Sequence, residues 1–280
     1  MTSIIRSLAR HPSGRIGGFI VLAYLLVALA AACGLTPYDP LMQFRVERLQ
    51  GPSLTHWMGT DMFGRDVASR LMIGISQSFL VAFSSVGIAA TLGTVLGLTA
   101  AWFGHLWDGL VMRCMDVLLA FPAILLALLI VVVAGTGTFS SIVAIAIVYT
   151  PIFTRVVRGP ALSIKSRDFV DAARTFGSSR TYILTRHLML NLVAPLTVQV
   201  TLALAWSLLT EAGLSFLGLG TQPPASSLGL MLADSSNLME MAPWLLAFPG
   251  LAIMLGILGF NLLGDALRDV LDPKARRAFA

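Results

Sequence analysis

The sequence predicts an all-helical membrane protein with six transmembrane spans and both termini in the cytoplasm. Three observations carry that prediction. Of 280 residues, 56% are hydrophobic and only 12% charged, about half the charged share of a soluble globular domain. Long stretches lack Asp, Glu, Lys and Arg altogether, and a membrane-crossing helix needs about 20 apolar residues. The basic residues fall in alternate connections, as they do where Lys and Arg are kept on the cytoplasmic side. The same composition excludes disorder and collagen-like sequence. The net charge of +5 does not signal a nucleic-acid partner, because the basic residues sit between apolar runs and form no continuous face.

The spans follow in chain order. Ile16 to Tyr38 is uncharged and gives the first, about 16–36, ending at Pro37. Leu71 to Leu106 is longer than one span requires, and the second is placed in its later part, about 78–104. Val117 to Thr154 holds spans three and four, about 112–134 and 139–158, separated by the turn-forming Gly135-Thr136-Gly137-Thr138. His187 to Thr210 centres the fifth, about 192–214. Met241 to Gly264 supplies the sixth, about 243–264, beginning near Pro243-Trp244. Ala212 to Ala233 is also uncharged, but its glycines and Pro223-Pro224 predict a loop that dips into or caps the membrane face.

With the N-terminus inside, 15 of the 19 Lys and Arg residues lie on the cytoplasmic side, leaving Arg45, Arg48, Arg65 and Arg70 outside. Arg6, Arg10 and Arg15 before an apolar run that ends in Ala30-Ala31-Ala32-Cys33 also resemble a secretory signal. That run is long enough to span, however, so it is expected to remain as an anchor helix.

Several chemistries are excluded. The only lysines are Lys165 and Lys274, and neither follows a glycine, so no phosphate-cradling Gly-Lys loop exists. His11, His56, His105 and His187 are scattered without a zinc-ligand pair. Cys33 and Cys114 lie in or beside apolar runs and support neither a disulfide framework nor a thiolate metal site. The chain is expected to be no enzyme and to bind no cofactor. Ionisable groups occur only at the ends of the spans (Asp116, Arg155, Arg158, Glu211), where they are expected to be interfacial. An ion-coupled carrier keeps such groups within the bilayer, so a self-sufficient channel or secondary carrier is disfavoured and energy must come from elsewhere.

The richest connection is the inside loop from Arg155 to Arg186. Within it Phe169, Ala172, Ala173 and Phe176 recur at i, i+3, i+4 and i+7, one face of a short amphipathic helix. Asp168 and Asp171 fall in its first turn, where carboxylates cap free N–H groups and favour the dipole, and Gly177 is its natural stop. A helix of about nine residues is unstable alone in water. Its aromatic face must therefore pack on lipid, on its own bundle or on another protein.

Asp171-Ala-Ala-x-x-x-Gly177 resembles the Glu-Ala-Ala-x-x-x-Gly loop of ABC importer permeases, whose coupling helix docks into a cleft on the ATPase subunit. Three further motifs extend the resemblance to the dipeptide, oligopeptide and nickel branch, and to the second permease of its pair. They are His56-x-x-Gly59-Thr60-Asp61-x-x-Gly64-Arg65-Asp66, Glu211-Ala-Gly-Leu-Ser-Phe-Leu-Gly-Leu-Gly220-Thr-Gln-Pro-Pro224, and Phe260-Asn261-Leu-Leu-Gly264-Asp265-x-Leu-Arg268-Asp269-x-Leu-Asp272-Pro273. Together they cover most of the chain from His56 onward. The resemblance implies a type I ABC importer permease fold. Its transmembrane domain would be at 74–265, preceded at 1–73 by the tail, first span and an external segment, and followed by a cytoplasmic tail at 266–280. It implies that Asp168, Phe169, Asp171, Ala172, Ala173, Arg174, Phe176 and Gly177 couple to an ATPase. The implied partners are a homologous second permease, two ATPase subunits that bind ATP and magnesium, an external solute-binding protein and membrane lipid, in the inner membrane. The implied solutes are di- and oligopeptides, with nickel chelates, glutathione or opines as variants.

Three positions depart from the pattern. Asp171 replaces glutamate and keeps the charge on a shorter arm, Leu190 stands where proline is usual, and Leu228 stands where tryptophan is common. On the residues alone, Gly59-Thr-Asp61 and Gly64-Arg-Asp66 read as hydrogen-bonded turns. Gly93 and Gly97 read as a close helix crossing, and Pro122 and Pro249 as bends in spans three and six.

Overall fold

The computed structural model describes residues 7, 8 and 11–271, and all of its regular elements are helices. Arg6, Arg10, the Asp272-Pro273 ending and the remainder of the tail lie outside the described residues. In chain order the helices are α1 Pro12–Ala32, α2 Val67–Phe103, α3 His105–Leu119, α4 Ala123–Ala134, α5 Thr138–Lys165, α6 Asp168–Thr175, α7 Arg180–Phe216, α8 Leu228–Ser235 and α9 Trp244–Leu271. Five of them are long and apolar enough to cross a membrane, and α3 with α4 makes a sixth if that bent pair is one span.

The helices outrun the apolar intervals that announce them. α2 begins at Val67, not near 78, because Asp66 caps it: its carboxylate accepts the Ser69 amide at 2.8 Å and the Ser69 hydroxyl at 2.7 Å. At 37 residues this helix is about 55 Å long and exceeds the ~30 Å hydrocarbon core. α7 likewise starts well before 192, where the Ser179 hydroxyl accepts the Tyr182 amide at 3.3 Å. Its second turn, Ile183–Leu188, is π-helical.

Span three is not one helix. α3 and α4 meet at 93° across Ala120, Phe121 and Pro122. Proline lacks the N–H the ladder needs and pushes Phe121 out of the helical region. Pro249, by contrast, lies inside an unbroken α9. Gly135 and Gly137, at φ 92° and 140°, make the predicted turn between α4 and α5. The uncharged stretch from Ala212 is more helical than a loop: α7 runs on to Phe216, and α8 forms after residues 217–227.

The most extensive helix pairing is between α2 and α5. In a bilayer, apolar contact gains little over lipid, so close backbone approach does the work. A Cβ on Gly97 would lie 2.6 Å from Thr154 O and 2.9 Å from Val157 Cβ, and one on Gly93 would strike Phe153 Cβ. α1 leans on α9 through Gly17, where a Cβ would lie 2.6 Å from Leu263 N. The interhelical polar contacts include a bond from Gln77 to Thr138 Oγ1 at 2.9 Å and a meeting of the Ser85 and Ser207 hydroxyls at 3.0 Å.

Candidate functional site

α6 follows α5 after a two-residue link and lies at the end of the bundle where α2 stops. Lys165, the last residue of α5, donates to the open carbonyls of Ala101 at 2.9 Å and Trp102 at 2.7 Å. A cation at a helix C-terminus satisfies orphan acceptors and the dipole together. α5 is further tied to α3 by Arg158, which grips Asp108 through both Nε and Nη2, and by Arg155, which meets Asp116 at 2.6 Å.

On α6 itself, Val170 is fully buried and Ala173 packs partly against the core. These two, three residues apart, pin the helix to its own bundle. The remaining predicted residues are mostly exposed. Phe169 is 41% exposed, Phe176 is 87% exposed, and Ala172 is also exposed. Of the predicted aromatic face, only Ala173 packs against the core. Asp168 and Asp171 cap no N–H, since no side chain caps this helix; they act through the dipole alone. Asp171 pairs with Arg174 at 3.0 Å, and the Arg174 guanidinium lies 4.9 Å from the centre of the Trp102 ring. Gly177, at φ 76°, ends the helix: its amide bonds Arg174 O, and Ser178 N bonds Ala173 O, both at 3.0 Å. No atom lies within 4 Å of where its Cβ would be.

The structure thus assembles the eight predicted residues into one short helix and its stop. Sequence periodicity did not find the supports, Trp102 and Lys165, because they are distant in the chain. It also did not find the π-helical turn of α7 against which α6 packs. His187 in that turn lies 5.9 Å from the Phe169 ring and 5.5 Å from that of Tyr182.

At the opposite end, residues 34–66 fold over the start of α2. His56 is 2% exposed and is held between Asp66 Oδ1 at 2.9 Å and Glu47 Oε2 at 2.8 Å. With both acids ionised, only a doubly protonated ring satisfies both. Burial lowers the imidazole pKa, but the bonds to Asp66 and Glu47 and their charges outweigh it and leave it raised above 6.5. The turns predicted at Gly59 and Gly64 are present, at φ 76° and 77°, and Asp61 accepts the Phe63 and Arg65 amides at 2.8 and 2.9 Å.

Glu211 corrects the sequence expectation. It is not interfacial but 0% exposed, accepting the hydroxyls of Ser78 on α2 and Ser215 on α7, each at 2.7 Å. A buried carboxyl is tolerated there because both oxygens are hydrogen-bonded. Leu228, at the position where the resembling family has tryptophan, is buried against Gly74. Among the described residues no group of His, Cys, Asp and Glu is placed to hold a metal ion.

The family described as binding-protein-dependent transport system inner membrane component matches residues 93–277. A dipeptide transport system permease protein of Alkalihalophilus pseudofirmus is 42% identical over 271 residues, covering 97% of this chain and 89% of that one. A putative peptide transport system permease protein of Brucella abortus is 43% identical over 97% of this chain and 91% of its own. A glutathione transport system permease protein of Escherichia coli O157:H7 is 44% identical over 92% and 85%. In fold, the chain is similar to the inward-facing MetNI methionine ABC transporter, with TM-score 0.56 and 18% identity over 72% of this chain and 96% of that one.

Proposed function

The chain belongs to the family of inner membrane components of binding-protein-dependent transport systems, and from that premise we propose that it carries short peptides inward as one permease of a two-permease ABC importer. It is a multi-pass inner-membrane protein, and membership places the energy source in another subunit. Dipeptides, peptides and glutathione, the solutes in the names of its relatives, share one chemistry, a short peptide with charged ends. α6 is the coupling helix. It lies in the cytoplasm with both termini, and it seats in a cleft of an ATPase subunit that binds ATP and magnesium. ATP binding draws the two ATPases together and carries α6 with them. α5 and α7, joined to α6 at either end, rock against α2 and open the path toward the external binding protein; hydrolysis resets it.

One observation supports this reading above the others: a helix too short to stand alone is anchored by Val170 on one side and leaves Phe176 87% exposed on the other. Lipid contact alone would not require the partly exposed, charged Asp171–Arg174 pair on the same short helix. Replacing Gly177 with valine tests it. The position is sterically open, so the protein still inserts. However, a branched residue at positive φ costs about 1–2 kcal/mol and tilts the end of α6. ATP hydrolysis by the assembled importer should continue while peptide uptake falls about tenfold; unchanged uptake would count against coupling through α6.

A further inference from the structure

Between the start of α2 and the segment before α8, two buried polar atoms lack any partner. Arg70 and Ser226 are each 3% exposed, and Arg70 Nη1 and Ser226 Oγ make no hydrogen bond. Both residues line one open cleft of about 370 Å³, within the size range of small-ligand sites. Its walls are apolar (Pro40, Leu41, Ile73, Pro224), and Asp39 also lines it.

Neighbouring acids do not fill the Arg70 fork. Asp61 Oδ2 is 3.7 Å from Nε and Asp234 Oδ2 is 4.0 Å from Nη2, both beyond hydrogen-bond range. Asp61 is already engaged by Arg65, whose Nε donates to it at 2.7 Å. A buried donor without an acceptor destabilises the protein that keeps it. Two such atoms on one cleft call for an acceptor that arrives from outside. A planar fork beside a hydroxyl suits a carboxylate. Asp39 uses Oδ1 to accept the Leu41 amide at 2.9 Å, which leaves Oδ2 for a cation.

We propose that this cleft is a peptide subsite. Arg70 and Ser226 take the C-terminal carboxylate of a short peptide, Asp39 takes its α-ammonium, and Pro40, Ile73 and Pro224 pack on its side chains. The subsite rests on the reading that peptides are the solute, and it makes the two charged ends, not the side chains, the features recognised.

Calorimetry on the full chain in lipid nanodiscs tests it, with dialanine, dialanine amide and N-acetyl-dialanine as probes. Wild type should bind dialanine at least about tenfold more tightly than the amide, the worth of a charged hydrogen-bond pair. Arg70→Lys, which keeps the charge and loses the fork, should weaken dialanine by a similar factor, and Ser226→Ala by less. Asp39→Asn should weaken dialanine but leave N-acetyl-dialanine unchanged. Equal binding of dialanine and its amide, wild-type affinity in Arg70→Lys, or no binding of dialanine at millimolar concentration overturns the subsite. Uptake by the assembled importer reports separately on the reading beneath it. Uptake without binding here removes the subsite alone, whereas absence of peptide uptake removes the substrate assignment.

Discussion

At one end of the bundle His56 is gripped by two carboxylates, Asp66 caps the 37-residue α2, and Glu211 accepts from Ser78 across helices and from Ser215 on its own helix. At the other end α6 is attached chiefly through Val170, while a side chain at its stop, Gly177, would meet open space and Phe176 stands in the open. The first end is tied by a polar network around His56, Asp66 and Glu211 whose own members are satisfied. The second is a lightly held helix with its adhesive face turned outward. Polar networks fix a single geometry, whereas segments with few buried contacts open at low free energy. The contrast bears on the proposed coupling: the α6 end has few buried contacts of its own, whereas the other end is held by its own polar contacts.

Mutations at the two ends should separate along that line. The largest effect belongs to Asp66→Ala, which removes the α2 cap and strands a buried imidazolium; about 3–5 kcal/mol of stability should be lost. Thermal unfolding measures it, and limited proteolysis should show new cuts within residues 34–66 and none around α6. Val170→Ala should cost about 2 kcal/mol, read as faster amide exchange over 168–177 with residues 34–66 unchanged. If Val170→Ala instead loosens both ends, the division between them is wrong.

The pH dependence sharpens the comparison further. The His56 pKa is raised in the folded protein, so its contribution is complete below about 6.5 and is lost as pH rises through the folded value. Each unit of that shift is worth about 1.4 kcal/mol. Amide exchange over residues 47–60 should accelerate above neutral pH while that of α6 keeps its ordinary base-catalysed trend, and Glu47→Gln should move the transition to lower pH. The smallest stability effect is that of Phe176→Ala, within about 0.5 kcal/mol because the ring is exposed. The same change should nonetheless reduce co-purification of the ATPase subunit, which an idle surface residue would not do.

Much of this was legible before the structure. Uncharged intervals located the helices because a bilayer tolerates few charges across its core, and Gly93 and Gly97 announced the α2–α5 crossing. Helix starts were not legible, because the caps Asp66 and Ser179 stand outside the apolar runs that mark the spans. Pro122 signalled a bend, but nothing local to it specifies a 93° turn. For α6, periodicity placed Phe169, Ala172, Ala173 and Phe176 on one face, of which only Ala173 packs against the core. It was silent on which side faces the bundle, since Val170, the anchor, lies off that face. Glu211 read as an end-of-helix charge because its partner Ser78 comes from a separate segment.

The account stands on α6 being the point where this chain meets its energy source. A photo-crosslinking amino acid placed at Phe176, in the importer assembled in native membrane, addresses that contact directly, with Trp57 at the opposite end as the control position. The account predicts a covalent adduct between position 176 and the nucleotide-binding subunit, and none from position 57. Adducts at 176 to lipid alone, or an adduct to that subunit from position 57 instead, would contradict it.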